Sequence, residues 1–163
     1  MNKIIISLFF LVTFAKNTIA SDLSFACNFE EAHSNGSINQ GLILYKENKL
    51  RYEYFSKDLF IIFINKKGTF LYNNKNKTTK PFTQTIQVID QMMDIASKFP
   101  DIPSNIRQDD IDIKLEFNKS KKFIKRISID SNRAKLSLYL KNCNLNKPIN
   151  NLFFSENPVF RYQ

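Results

Sequence analysis

Leu50-Arg51-Tyr52-Glu53-Tyr54 is followed by the unbroken apolar run Leu59-Phe60-Ile61-Ile62-Phe63-Ile64, the turn Asn65-Lys66-Lys67-Gly68, and Thr69-Phe70-Leu71-Tyr72. In the first segment Leu50, Tyr52 and Tyr54 alternate with Arg51 and Glu53, the period of a half-buried antiparallel strand. The run 59–64 has no polar member and reads as a strand covered on both faces. The glycine turn makes 59–72 a hairpin.

The two-residue period recurs farther along. Ile111, Ile113, Leu115 and Phe117 alternate with Asp112, Lys114 and Glu116, and Leu136, Leu138 and Leu140 alternate with Ser137, Tyr139 and Lys141. Further turns stand at Ser34-Asn35-Gly36, Glu47-Asn48-Lys49, Asn73-Asn74-Lys75 and Asn118 to Ser120. About eight strands at hairpin spacing imply a mainly β (α+β) chain whose sheet is strongly curved or barrel-like.

One segment follows a different period. From Gln84 to Phe99 the polar Gln87, Asp90, Gln91, Asp94, Ser97 and Lys98 share one arc of a helical wheel, while Ile86, Val88, Ile89, Met92, Met93, Ile95, Ala96 and Phe99 fill the other. This predicts an amphipathic helix ended by Pro100, with an irregular stretch from Asp101 to Arg107. Only the curved sheet offers its wide apolar face a partner.

The N-terminus carries an export pattern. A positive start at Lys3, an apolar run from Ile4 to Ala15 and a polar stretch ending in Ala20 read as a signal peptide over 1–20, cleaved before Ser21. The run is too short to span a bilayer. Ala26-Cys27 superficially resembles a lipoprotein signal, but Asp22 separates it from the apolar run and Ser24 stands where a Leu belongs, so a soluble mature protein is expected. Residues 21–163 suffice for one domain burying roughly two-thirds of its unfolded surface. Losing Lys3 and Lys16 lowers the formal charge from +9 to +7. Lys66-Lys67, and Lys119 with Lys121-Lys122, read as solvated hairpin tips, and no nucleic-acid partner is expected. In an oxidising compartment Cys27 and Cys143 read as a disulfide, with two buried thiols as the alternative. By loop entropy such a bridge contributes roughly 4–5 kcal/mol.

Catalytic constellations are scarce. His33 is the one histidine, there are three glycines, and no serine stands in a nucleophile elbow. Asp109, Asp110 and Asp112 suggest a cation site, yet they read as a solvated strand edge. Neither an enzyme activity nor a cofactor or metal is expected. Three glycosylation-type triplets, at Asn35, Asn76 and Asn118, fall near turns. What stands out is apolar capacity: sixteen Phe, six Tyr and the adjacent Met92 and Met93. These either complete a core or line a cavity for an acyl chain.

Gly41-Leu42-Ile43-Leu44-Tyr45 with Leu50 to Tyr54 after a tight turn resembles the strand pair of the periplasmic outer-membrane lipoprotein carrier (LolA-like) family. The strand Phe60 to Ile64, the turn at Gly68 and Thr69-Phe70-Leu71-Tyr72-Asn73-Asn74 follow in that family's order, and the helix falls where it inserts its lid. Asn146-Lys147-Pro148-Ile149, then Phe153-Phe154 and Pro158, is similar to its closing element. The resemblance implies an unclosed antiparallel half-barrel capped by a lid helix, holding the acyl chains of lipoproteins in an apolar cavity. The implied partners are an inner-membrane lipoprotein-releasing transporter and an outer-membrane acceptor, and the carrier is expected as a monomer. Tyr52, Tyr54, Ile89, Met92, Met93 and Phe99 are the expected cavity lining, with Lys46 and Arg51 at the rim beside the lid. The sequence departs from the family in three places. Leu23 to Phe29 is already strand where a helix is usual, Lys46-Glu47-Asn48 replaces a basic residue and a proline, and the spacing from Phe154 to Pro158 is looser. The competing expectation is an exported sensor or protein-interaction module on the same scaffold with no transport cycle.

Overall fold

The computed structural model describes residues 23–56, 58–82, 87–99, 101–108, 110–118, 123–132 and 135–156. The leader over 1–20, the cleavage point before Ser21, the helix start at Gln84, Pro100, Asp109, the lysines 119–122 and Pro158 lie outside the described residues.

Ten strands are described: β1 (Ser24–His33), β2 (Ile38–Lys46), β3 (Lys49–Tyr54), β4 (Phe60–Asn65), β5 (Gly68–Asn73), β6 (Thr78–Pro81), β7 (Asn105–Gln108), β8 (Ile111–Asn118), β9 (Phe123–Ser131) and β10 (Lys135–Leu145). They form one sheet in the order β6-β5-β4-β3-β2-β1-β10-β9-β8-β7, with every neighbouring pair antiparallel. The short strands β6 and β7 are the edges and do not pair with each other, so the sheet is an unclosed half-barrel. Helix α1 (Gln87–Lys98) lies in the chain between those two edges.

Two strands exceed the expected set. β6 and β7 are four residues each and mostly exposed, so neither carries the apolar period that betrays a strand. Backbone pairing to β5 and β8 creates them, and Arg107, expected in an irregular stretch, is part of β7.

Side-chain alternation divides the core. Inward residues of the sheet, such as Phe29, Ile43, Leu50, Tyr52, Ile62, Ile113, Ile127 and Leu138, join Ile89, Met92, Ile95 and Ala96 of α1 in the main cluster. On the outer face Ala26, Leu42 and Leu44 pack under Ile149 and Phe154 of the C-terminal segment. β4 therefore has cover on both faces, as its unbroken apolar run predicts: Ile62 turns inward, while the fully buried Phe63 lies outside beneath Arg51.

Local chemistry fixes the register. The β2–β3 hairpin turns through Glu47 and Asn48, both at positive φ (49° and 58°), the geometry of a two-residue primed turn. Proline cannot adopt that φ, so neither turn position could hold one. At Gly41 an added Cβ would overlap the Glu53 carbonyl and the Phe29 ring, so only glycine lets that ring lie across β2. A bulge between Ala26 and Asn28 sets two β10 residues, Asn142 and Cys143, against Cys27. Asn142 takes up the irregularity at φ 52°, and the Cys27–Cys143 disulfide closes with Cα atoms 4.2 Å apart.

Candidate functional site

Between α1 and the inner face of the sheet lies an apolar cavity of about 50 Å³. Its walls are Cys27, Ile43, Leu50, Ile124, Ile127, Leu140 and Cys143 from the strands, with Met92, Ile95, Ala96 and Phe99 from the helix segment. It sits toward one end of the half-barrel, where β1 begins and β10 finishes. Half-buried Leu23, Phe25, Phe99 and Phe123 and the exposed Leu145 line it there, so the cavity reaches the surface at that end. Below it the disulfide forms part of the floor.

Of the residues expected to line a cavity, Met92 and Phe99 do. Ile89 is buried in the same core and Met93 packs against it, but neither lines the cavity. Tyr52 and Tyr54 point to the same inner face nearer the other end, where they serve a different purpose. Their hydroxyls donate to the carboxylate of Glu31, at 2.5 Å from Tyr52 and 3.1 Å from Tyr54, and His33 Nε2 lies 2.6 Å from its other oxygen. Phe29 stacks on Tyr52 at 4.2 Å between ring centroids. Glu31 is buried at 7 % exposure, and these donors replace the water it gives up. Burial, reinforced by the neighbouring carboxylate, holds both phenols above the ordinary tyrosine range.

Glu31 escaped the sequence reading because Glu30-Glu31 looks like the polar end of a strand. Extending the alternation Phe25, Cys27, Phe29 by one step puts Glu31 on the inner face, which is the signal that was available.

Lys46 and Arg51, expected beside the lid, face the opposite side of the sheet. Strand alternation dictates this, since Leu50 and Tyr52 face inward. Arg51 is fully buried: Nε donates to Glu53 Oε2 at 2.8 Å, Nη1 donates to the Phe153 carbonyl at 3.1 Å, and the guanidinium lies 5.2 Å from the Phe63 ring centroid. Nη2 approaches the same Glu53 oxygen at 2.6 Å as an ion pair without hydrogen-bond alignment. Lys46 Nζ donates to the Ile149 carbonyl at 3.2 Å. Both residues therefore hold the C-terminal segment. Ser24, Asn65 and Thr79 do the same through the carbonyls of Lys147, Phe154 and Glu156. Glu47 stays at its own turn, where Lys49, and more weakly Lys46, hold its carboxyl below the usual range.

Helix α1 is tied to the sheet mainly by apolar contact. Its polar link among the described residues is Gln91 Nε2 donating to Gln108 Oε1 of β7 at 2.9 Å, with the buried Gln91 Oε1 left unpartnered. Asp110 and Asp112 are exposed, Asp112 pairing with Arg107, and the described residues contain no cluster of three potential metal ligands. No described helix is long and apolar enough to cross a membrane. The disulfide is compatible with a location outside the cytoplasm. No protein-family model matches the chain, and a search of curated proteins finds no match either.

Proposed function

We propose that this chain is an exported, LolA-like carrier that holds acyl chains of lipoproteins between its half-barrel and α1 and moves them through the periplasm from inner to outer membrane. In this reading residues 1–20 are the export leader and residues 21–163 the carrier. An inner-membrane transporter loads it, an outer-membrane acceptor unloads it, and it works as a monomer that makes and breaks no bond. The observation that carries the reading is the apolar cavity beneath an amphipathic helix attached in sequence to both free edges of the sheet. Exposing an acyl chain to water costs about 0.8 kcal/mol per methylene, so a diffusing carrier must enclose it.

The cavity's size defines the mechanism. About 50 Å³ is far below the roughly 300–1,000 Å³ of small-molecule pockets. Cargo therefore enters only as α1 moves off the sheet, breaking the neutral Gln91–Gln108 bond. Opening hydrates the unpartnered Gln91 oxygen, which offsets part of that loss. The small volume also favours a second reading: an exported sensor or interaction module with a filled core. Depleting the protein in cells separates the two, because loss of a carrier strands lipoproteins at the inner membrane and loss of a sensor does not.

The direct test is titration of residues 21–163 with a fluorescent acylated peptide. Binding is expected, abolished by Met92→Asp with Met93→Asp and weakened about tenfold by Ala96→Leu, which fills the cavity while staying apolar. Absence of binding, or binding indifferent to Ala96→Leu in a folded variant, overturns the acyl-carrier reading.

A further inference from the structure

In an antiparallel meander successive turns fall at alternate ends of the sheet, so the topology sorts the charges of the turns into two groups. At the cavity end stand the β2–β3 turn with Lys46 and Lys49, the β4–β5 turn with Lys66 and Lys67, the end of α1 with Lys98, and Lys147 just after β10. Against them this end sets Glu47, Asp101, Glu156 and Asp94, the partner of Lys98, leaving a smaller positive excess among the described residues. Among the described residues the far end is balanced. Its turns carry Lys75 and Lys77 against Asp58 and Asp110, while Lys135 and Arg107 pair with Asp130 and Asp112. The half-barrel is thus polarised along its strands, and the cavity reaches the surface at the positive end.

That end also exposes apolar side chains. Leu145 is 37 % exposed, and Phe25, Phe99 and Phe123 are partly exposed around the cavity. Lysines beside an apolar rim match the interface of an anionic bilayer, where lipid phosphates meet the cations and the upper acyl region meets the rim. An acidic protein surface would satisfy the lysines but leave the rim without a partner.

We propose that the cavity end is a docking face for anionic membrane surfaces, orienting the molecule mouth-first on the bilayer. The proposal stands on surface charge and rim exposure, and it adds to the acyl-carrier reading a route by which a chain passes between bilayer and cavity without crossing water.

The test is co-sedimentation of the empty mature chain with vesicles of phosphatidylcholine alone or mixed equally with phosphatidylglycerol. Binding to the anionic vesicles only is expected, and it fades as salt shortens the screening length. Each lysine near such a surface is worth about fivefold in partitioning, so Lys66→Gln with Lys67→Gln lowers it about 20- to 30-fold. Lys75→Gln with Lys77→Gln, at the far end, leaves it unchanged. All four lysines are exposed turn residues, so both variants keep the fold and bind the acylated peptide as before. Equal binding to both vesicle types, no binding to either, or equal loss in the two variants overturns the docking face. Failure of the acylated peptide to bind while vesicle binding follows the lysines overturns the carrier reading alone.

Discussion

The two halves of the sheet differ in how they are enclosed. Strands β2 to β4 lie between the main core and the C-terminal segment, whereas β8 to β10 have their core on one face and water on the other. In the first half the outer face carries Leu42, Leu44, Arg51 and Phe63. In the second it carries Asp112, Lys114, Glu116, Arg126 and Ser128, which border an open polar groove of about 320 Å³. Each half also has an outward arginine over an aromatic ring, Arg51 on Phe63 and Arg126 on Tyr139, both at 5.2 Å. Covering the face turns the same contact from a surface ornament into a buried ionic joint.

Replacing the two arginines breaks the comparison most sharply. Arg51→Ala leaves the largely buried Glu53 carboxylate without its ion-pair partner and should cost about 3–5 kcal/mol in urea unfolding. Arg126→Ala, which removes an exposed pair with Glu116, should cost about 1 kcal/mol or less. Comparable losses at the two sites would show that the C-terminal segment does not enclose the first half in solution.

The bond across the seam between the halves comes next. Cys27→Ala with Cys143→Ala removes a constraint spanning 116 positions and should lower stability by about 2–4 kcal/mol, less than the loop-entropy figure because the open unfolded chain retains structure, read from the urea midpoint with the slope compared.

A smaller effect reports on the inner face of the first half alone. Folding raises the proton affinity of Tyr52 and Tyr54, so above about pH 10 the unfolded chain releases phenolic protons that the native state keeps. Their contribution is complete below that pH and is lost as pH rises further. Stability should therefore fall more steeply in alkali for the native sequence than for Tyr52→Phe with Tyr54→Phe. Parallel alkaline profiles would place both phenols in water.

How much of this was legible in the sequence follows the same division. Alternation exposed β3, β8 and β10, an unbroken apolar run exposed the doubly covered β4, and the helical period exposed α1. Each is a regular repetition of burial, which a linear pattern records. The edge strands β6 and β7 are defined by backbone pairing and have no burial to repeat. The run 59–64 required a cover on its outer face, but the cover is an aperiodic segment fastened through main-chain carbonyls, and carbonyls are the same in every residue. Lys46 and Arg51 went astray for that reason: their charges were visible and their neutral partners were not. At the site, Met92 and Phe99 could be found from the helix face. Glu31 needed the strand phase of β1 carried past its last apolar residue, and the cavity's volume depends on packing that no single pattern encodes.

The pairing of β1 with β10 has a topological consequence. The first and last strands meet at the centre of the sheet, and the disulfide there joins them covalently, so residues 27–143 form a closed ring with β6, α1 and β7 opposite the clasp. A single break in the helix segment opens that ring without dividing the molecule. The two pieces stay linked through sulfur, each keeping its own strands in order, and within the ring α1 is the described helix or strand whose severing leaves every strand pairing in place. New termini could be placed there by permutation, giving the half-barrel a lid attached at one edge only.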